Sequence, residues 1–314
     1  MPDFKLTHYQ ILSIGMDKRV AATRECAGMG RWIALGACWL AILLCASAAR
    51  ADLPQRPLVG NFLGYDALPE NYFSISGSVD RAQDAESLYI EKTISRDSSI
   101  SLFAGYQRLE QGGETTTGWS NLSLAYKHVL ISIPQHEFMF SIAPEAELPV
   151  GSRSIGSESH ARAGFDLLFA KGFGDLTDSL AILRPAALEG DVGWEGKVTG
   201  ARDDLVSANG EIEYSLGYLD ENVASFSVAH ALRNLTPHLD FDYAQYMDAH
   251  RNSTAPDFEL TPGVAWLNST FEVNLGVQVA LNHASSSSGA VGFVWLVGVS
   301  FDQIVPALGW TPFH

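Results

Sequence analysis

Residues 270–282 read TFEVNLGVQVALN, and two kinds of side chain alternate along them with a period of two. Phe271, Val273, Leu275, Val277, Val279 and Leu281 fall on one side. Glu272, Asn274, Gln278 and Asn282 fall on the other, with Gly276 and Ala280 between them. An extended strand separates odd from even residues in this way, whereas a helix with a repeat near 3.6 does not. Length narrows the reading further. The stretch has 13 residues, a strand of a globular protein usually has about five or six, and a tilted strand that crosses a bilayer needs about 9–11.

The address of the chain decides whether the apolar side of such a strand faces lipid or a soluble core. Residues 32–49 form an uncharged, mostly apolar run, WIALGACWLAILLCASAA, preceded by Arg31 and followed by the small-residue site Ala49-Arg50-Ala51. A charged start, an apolar middle and a small-residue site in this order make an export leader, residues 1–51, with cleavage expected after Ala51. The alternative is a retained membrane helix, for which 18 residues is the lower limit; no basic stop-transfer cluster follows the run. Met29 is an alternative start, because the 28 residues before it are long for a leader. Cys45 follows Leu44 rather than a small residue, so no lipid anchor is expected.

Cleavage would remove Cys26, Cys38 and Cys45, leaving 263 residues without cysteine, held by backbone pairing and packing and not by disulfides. The leader holds six of the 20 Lys/Arg and three of the 36 Asp/Glu, so the mature chain carries 14 basic against 33 acidic residues. That balance excludes a nucleic-acid partner, whose phosphates require a basic surface. It suits a surface beside water or a cavity that attracts cations.

Strand-like segments recur every 15–20 residues across 70–80, 86–95, 99–109, 118–129, 137–149, 159–171, 179–191, 205–219, 236–246, 258–267, 270–282 and 289–302. The expected fold is all-β: a transmembrane antiparallel up-and-down barrel of about 12 strands, with 10–14 as the range. Residues 52–69 would form a periplasmic or plug segment, 70–302 the barrel and 303–314 a C-terminal extension. Short connectors such as RDSS (96–99) and LISIPQH (130–136) alternate with Gly/Ser-rich ones such as EQGGETTTG (110–118) and VGSRSIGSES (150–159). This predicts short turns on one rim and longer loops on the other. Segment 220–235 reads as a helical turn on the short-turn rim. A soluble β-sandwich is the rival fold, but its aromatics would gather in the core. Here Tyr72, Phe73, Trp119, Phe138, Trp194, Tyr243, Tyr246 and Trp266 stand near segment ends, as interfacial girdles require.

Several segments also resemble one family in order. SLYIEKTISRDSSISLFAGYQ (87–107) resembles paired strands around a T-D-x-x-S-L turn, and GWSNLSLAYKH (118–128) a G-x-x-D-x-x-L-x-x-K-Y strand, with Asn121 in place of Asp. FSIAPEAELPVGSR (140–153), AILRPAALEGDVGW (181–194), LRNLTPHLDFDY (232–243) and LTPGVAW (260–266) continue the series. The series is similar to outer-membrane transporters of the meta-pathway phenol-degradation type. The resemblance implies a twelve-stranded-type barrel in the bacterial outer membrane, moving small, often aromatic compounds.

Alternation applied strand by strand gives the inward-facing set: Glu145 and Glu147; Glu211 and Glu213; His238, Asp240 and Asp242; Glu272, Asn274 and Gln278; and Lys127 as a counter-charge. A charge facing lipid at the midplane costs about 2–4 kcal/mol for Arg or Lys and less for Asp or Glu, so the lumen is the default direction. The set reads either as a plain solvated interior or as a cation-favouring constriction. The partners expected are outer-membrane lipid and a small-molecule solute, with no cofactor and no metal, because the histidines lack metal-ligand spacing along the chain. Two alternatives to a conduit remain: a structural or adhesive barrel plugged by residues 53–70, and a lipid hydrolase. For the hydrolase, Glu158, Ser159 and His160 are chain neighbours whose side chains alternate between faces. His238 and Asp240 share a face but no serine is implied beside them.

Overall fold

The computed structural model describes residues 66–80, 83–111, 114–155, 157, 160–198, 203–224, 230–248, 256–282 and 291–313. The leader, residues 52–65, and Glu158 and Ser159 lie outside the described residues.

Thirteen strand segments run up and down in chain order: β1 Tyr72–Val79, β2 Gln83–Ser95, β3 Ser98–Gln111, β4 Glu114–Trp119, β5 Leu122–Ile133, β6 Phe138–Leu148 and β7 Arg162–Gly172. They continue as β8 Ala186–Lys197, β9 Asp203–Tyr214, β10 Leu235–Asp248, β11 Asp257–Leu267, β12 Phe271–Ala280 and β13 Val291–Ser300. Each pairs antiparallel with its chain neighbours, apart from β4 and β5. The first strand also pairs with the last, from Tyr72 opposite Ser300 to Val79 opposite Phe293. The sheet therefore closes on itself.

β4 and β5 are two parts of one barrel strand. β4 pairs with the far half of β3, Tyr106 opposite Trp119, and β5 with its near half, Phe103 opposite Ser123. Between these pairs one strand has one more residue than the other, the signature of a β-bulge. Ser120 holds the bulge: its N–H donates to the Gly105 carbonyl at 2.7 Å and its hydroxyl accepts from the Gly105 N–H at 2.8 Å. Counted this way the barrel has twelve strands.

Two further irregularities follow from proline, which has no N–H to give to a ladder. The β5–β6 pairing lapses between Ala125–Glu145 and His128–Ile142, around Pro144. The β11–β12 pairing lapses between Leu260–Val279 and Gly263–Gly276, around Pro262. At each lapse a long polar side chain, Lys127 or His238, reaches into the interior close by.

The alternation expected for 270–282 is present. Glu272, Asn274 and Gly276 are buried while Phe271, Val273, Leu275 and Val277 are exposed. The same inversion holds around the wall, with Ile212, Phe241, Phe293 and Val297 all outward. A large apolar surface outside and polar groups within is the reverse of a soluble domain, and it is the arrangement a bilayer demands. The barrel is an outer-membrane type of transmembrane sheet, and the sandwich alternative is excluded by its closure.

Four local expectations need correction. Residues 179–185 are not strand: Asp178–Leu183 forms a 3-10 turn, and β8 begins only at Ala186, beyond Pro185. The strand expected to run to 219 stops at Tyr214, because Ser215 caps helix α1, Leu216–Asn222, by accepting from the Tyr218 N–H at 3.2 Å. Helix α2, His230–Arg233, follows, and Arg233 Nε meets Asp220 Oδ2 at 2.8 Å. Short and long connectors are also not sorted by rim. The rim that carries both ends of the barrel has the two-residue turn between Ser95 and Ser98, but also the long connectors 173–185 and 215–234. Finally, Tyr72 and Tyr246 do not join an outer girdle. Tyr72 is buried and Tyr246 lies under the interior guanidinium of Arg162, 6.0 Å from its ring centre.

Leu275 is the natural probe of the lipid face. Leu275→Arg is expected to lower folding stability in lipid vesicles by about 2–4 kcal/mol, and by much less at the rim position Val79→Arg; urea titration of tryptophan fluorescence measures both.

Candidate functional site

The interior wall gathers every side chain expected to face inward. Lys127, Glu211, Glu213, His238, Asp240, Asp242, Glu272 and Asn274 are buried. Gln278 is half-buried on the same face of β12, where its amide donates to Glu259. Glu145 and Glu147 are half-buried and continue the interior face of β6 beyond Ser141 and Ala143, toward the rim away from the chain ends.

The interior is far more acidic than those residues alone suggest. Among the described residues, twelve buried carboxylates lie in the barrel wall against two buried bases, Lys127 and Arg162. Each base is engaged by a carboxylate: Lys127 Nζ lies 3.0 Å from Glu91 Oε2, and Arg162 Nε lies 3.1 Å from Glu195 Oε2. The other acids must therefore be balanced by mutual hydrogen bonding, shared protons or cations from solution. Glu189, Asp191, Glu195 and Glu259 were not singled out from the sequence, although the same period-two rule applied to the true span of β8 points Glu189, Asp191 and Glu195 inward.

Three groupings stand out along the lumen. Near the rim of the chain ends, residues 66–70 enter the barrel. Ala67 packs with Val129, Met139, Ala143, Leu168 and Ala170 in an apolar patch on the inner wall. The Ala67 carbonyl accepts from Ser141 Oγ at 2.6 Å and the Leu68 carbonyl from Lys127 Nζ at 2.9 Å. Glu91 completes the fastening: it accepts from the Glu70 N–H at 3.1 Å, from Lys127, from Ser99 Oγ and from the Tyr89 hydroxyl. Beside this knot the Tyr72 hydroxyl donates to Glu272 Oε2 at 2.8 Å, crossing an intervening strand. Gly298 permits the crossing, since a Cβ there would stand 1.8 Å from the Tyr72 oxygen.

At mid-height β9 and β10 bring their acids face to face. Asp240 pairs with Glu211 and His238 with Glu213. The His238 ring lies between Asp240 Oδ1, 2.7 Å from Nδ1, and Asn274 Oδ1, 2.8 Å from Nε2. The missing side chain of Gly263 gives the ring its passage, because a Cβ there would lie 2.4 Å from Nε2. Toward the opposite rim, Asn121 Nδ2 donates to Glu147 Oε1 at 2.6 Å, while its own Oδ1 accepts from the Gly151 N–H at 2.9 Å. Asn121 thus ties the strand bulge to the loop after β6. For a hydrolase the geometry is poor: both nitrogens of His238 face Asp240 and Asn274, not a serine hydroxyl.

Glu70 belongs to the knot and lies outside the strands. Burial, and then the neighbouring carboxylates of Asp66, Glu91 and Glu272, push its carboxyl up to about 8, with Lys127 acting in the opposite sense.

No protein-family model and no curated protein matches the chain. Among solved structures it is similar in fold to a NanC porin, at 10% identity and a TM-score of 0.47, covering 73% of this chain and 98% of that one. A KdgM porin is similar at 12% identity and a TM-score of 0.42, covering 73% and 99%. LpxR from Salmonella typhimurium is similar at 8% identity and a TM-score of 0.38, with the same coverage. These likenesses are of fold.

Two outcomes test the knot. Lys127→Met leaves Glu91 buried without its base and is expected to cost about 3–5 kcal/mol. The double variant with Glu91→Gln should cost less than the single one, in chemical denaturation. Because the Glu70 pKa is raised on docking, docking of residues 66–70 takes up a proton. It is complete below the ordinary carboxylate range and weakens as pH rises through about 8. A spin label at Leu68→Cys should gain mobility over that window, and Glu70→Gln should remove the pH dependence.

Proposed function

We propose that the chain, after loss of an export leader spanning residues 1–51, is a narrow outer-membrane conduit for small solutes that are cationic or uncharged. The observation that carries this reading is the interior wall, where twelve buried carboxylates face two buried bases. Clustered carboxylates in a narrow, low-dielectric passage raise the local concentration of cations and repel anions, and counter-ions screen such a field poorly where water is scarce. An oligogalacturonate, the polyanion present with one KdgM porin, would be disfavoured by such a lumen.

The wall is not acidic throughout. Val129, Met139, Ala143, Leu168 and Ala170 make an apolar surface in the end-side half of the interior, now covered by Ala67. An apolar patch beside carboxylates favours solutes with an apolar body, and the ordered resemblance to phenol-degradation-type transporters supports small aromatic compounds as that class. Glu145 and Glu147, half-buried at the far mouth, would act as the attracting vestibule. Glu211, Glu213, His238, Asp240, Asp242, Asn274 and Gln278 would form the middle of the passage, and Lys127 and Glu272 its end beside the knot.

A second reading has an observation of its own. Residues 66–70 occupy the interior and are fastened to three strands through Glu91, Lys127 and Ser141. This favours a plugged barrel, with a structural role when the plug stays and a gated conduit when it leaves.

Bilayer conductance separates these readings. The mature chain is expected to give discrete, cation-selective steps, with selectivity reduced by the combined substitutions Glu145→Gln, Glu147→Gln and Asp240→Asn. Deletion of residues 53–68 is expected to raise the open fraction. Absence of both conductance and solute uptake into liposomes, in the mature chain and in the deletion variant alike, would favour the structural barrel.

A further inference from the structure

The acids at mid-height include one with no donor at all. Glu211 is 1% exposed, and neither of its carboxylate oxygens has a hydrogen-bond partner. Next to it in the ladder, Glu189 of β8 is buried with both oxygens in the same condition. Leaving one buried carboxylate without a donor is costly, and leaving two adjacent ones costs more. The interior bases offer no relief, because Lys127 and Arg162 are held by Glu91 and Glu195.

What does lie beside Glu211 is a histidine. His238 Nδ1 is 3.8 Å from Glu211 Oε1 and 2.7 Å from Asp240 Oδ1. One ligand atom from each of Glu211, His238 and Asp240 lies within 4.8 Å of the others. We propose that these three residues form a binding site for a divalent transition-metal ion in the lumen, with Glu189 as an additional carboxylate on the same side.

The donor set selects the class of ion. Calcium and magnesium take oxygen donors, whereas an imidazole nitrogen with two carboxylates suits Zn²⁺, Co²⁺ or a similar first-row ion. The surroundings position the ring for ligation. Asn274 Oδ1 holds Nε2 at 2.8 Å, which orients Nδ1 toward the two carboxylates, the role that outer partners of ligating histidines commonly play. Gly263 leaves the space that the ring occupies beside β11. For Nδ1 and Asp240 Oδ1 both to reach an ion at about 2.0–2.2 Å they must part by a fraction of an ångström, which side-chain rotation supplies. Sequence spacing conceals the site. Its ligands are 27 and two residues apart, and the pairing of β9 with β10 brings them together.

The site stands apart from the conduit reading, because stoichiometric binding and conductance are measured separately. The mature chain, refolded in detergent, would be titrated with Co²⁺ near neutral pH, following the visible d–d bands, and then with Zn²⁺. One saturable equivalent of Co²⁺ per chain, displaced by Zn²⁺ and not by equimolar Ca²⁺, is expected. Glu211→Gln and His238→Gln should each weaken binding by tenfold or more, and Asn274→Ala by about 10–100-fold as an orienting residue. Asp84→Asn, at the rim, should leave it unchanged. No saturable Co²⁺ signal in the natural chain, displacement by Ca²⁺ as readily as by Zn²⁺, or binding unaffected by Glu211→Gln would overturn the proposal. Circular dichroism establishes that each variant is folded; the natural-chain titration decides even where a variant is not.

Discussion

The pairing of β1 with β13 is the constraint on which the rest of the molecule depends. Within hydrocarbon no water is present to satisfy an exposed N–H or carbonyl, so a sheet that crosses a bilayer cannot have an edge. The eight residue pairs from Tyr72–Ser300 to Val79–Phe293 remove it. Once the sheet is closed, every strand has an inside and an outside, and period-two alternation assigns each residue to one of them. The bulge at Ser120 and the ladder lapses at Pro144 and Pro262 are tolerated inside this frame because the flanking pairs resume beyond each of them.

Closure also creates the chief electrostatic difficulty of the molecule. A soluble protein disperses an excess of acid over its surface, but this wall encloses much of it. Part of the charge is met by the two buried ion pairs, and part by hydroxyl, amide and backbone donors such as Tyr72 to Glu272 and the Glu70 N–H to Glu91. The strands with the densest acid, β8 to β10, continue the wall directly from the apolar patch of β5 to β7 on which Ala67 rests, since β7 pairs with β8. Adjoining sectors of the interior thus differ in chemistry, one made for apolar contact and the other for positive charge.

The sequence was most informative where the physics is local. Glu272 and Asn274, Glu211 and Glu213, and His238, Asp240 and Asp242 could be assigned to the inner face because alternation needs no knowledge of distant residues. It failed where a segment is apolar without alternation: Ser179–Leu183 resembles a strand in composition, yet Pro185 and the 3-10 turn delay β8 to Ala186. The same strand runs on to Lys197, so Glu195 lay beyond the expected end at 191. The closeness of Glu211 to His238 was illegible for another reason, since it depends on the register between two strands. The crossings of Tyr72 over Gly298 and of His238 over Gly263 depend on register in the same way. A glycine that admits a ring from a neighbouring strand looks, along the chain, like any other glycine.

The enclosed segment at 66–70 has a consequence for how the molecule is made. Closure joins the first strand to the last, more than 200 residues apart, so it is the contact of greatest sequence separation and the slowest to find its partner. Residues 66–70 immediately precede β1 and already lie inside the finished cylinder. To be there they must settle on the concave face of β5–β7 while the sheet is still an open trough, or else thread a completed barrel from its end. The first route is simpler, and it makes Ala67, Leu68 and Glu70 a template around which the sheet curls before the seam is sewn. Assembly and plugging would then be one event, and a chain lacking the segment would be expected to fold more slowly as well as to stand more open.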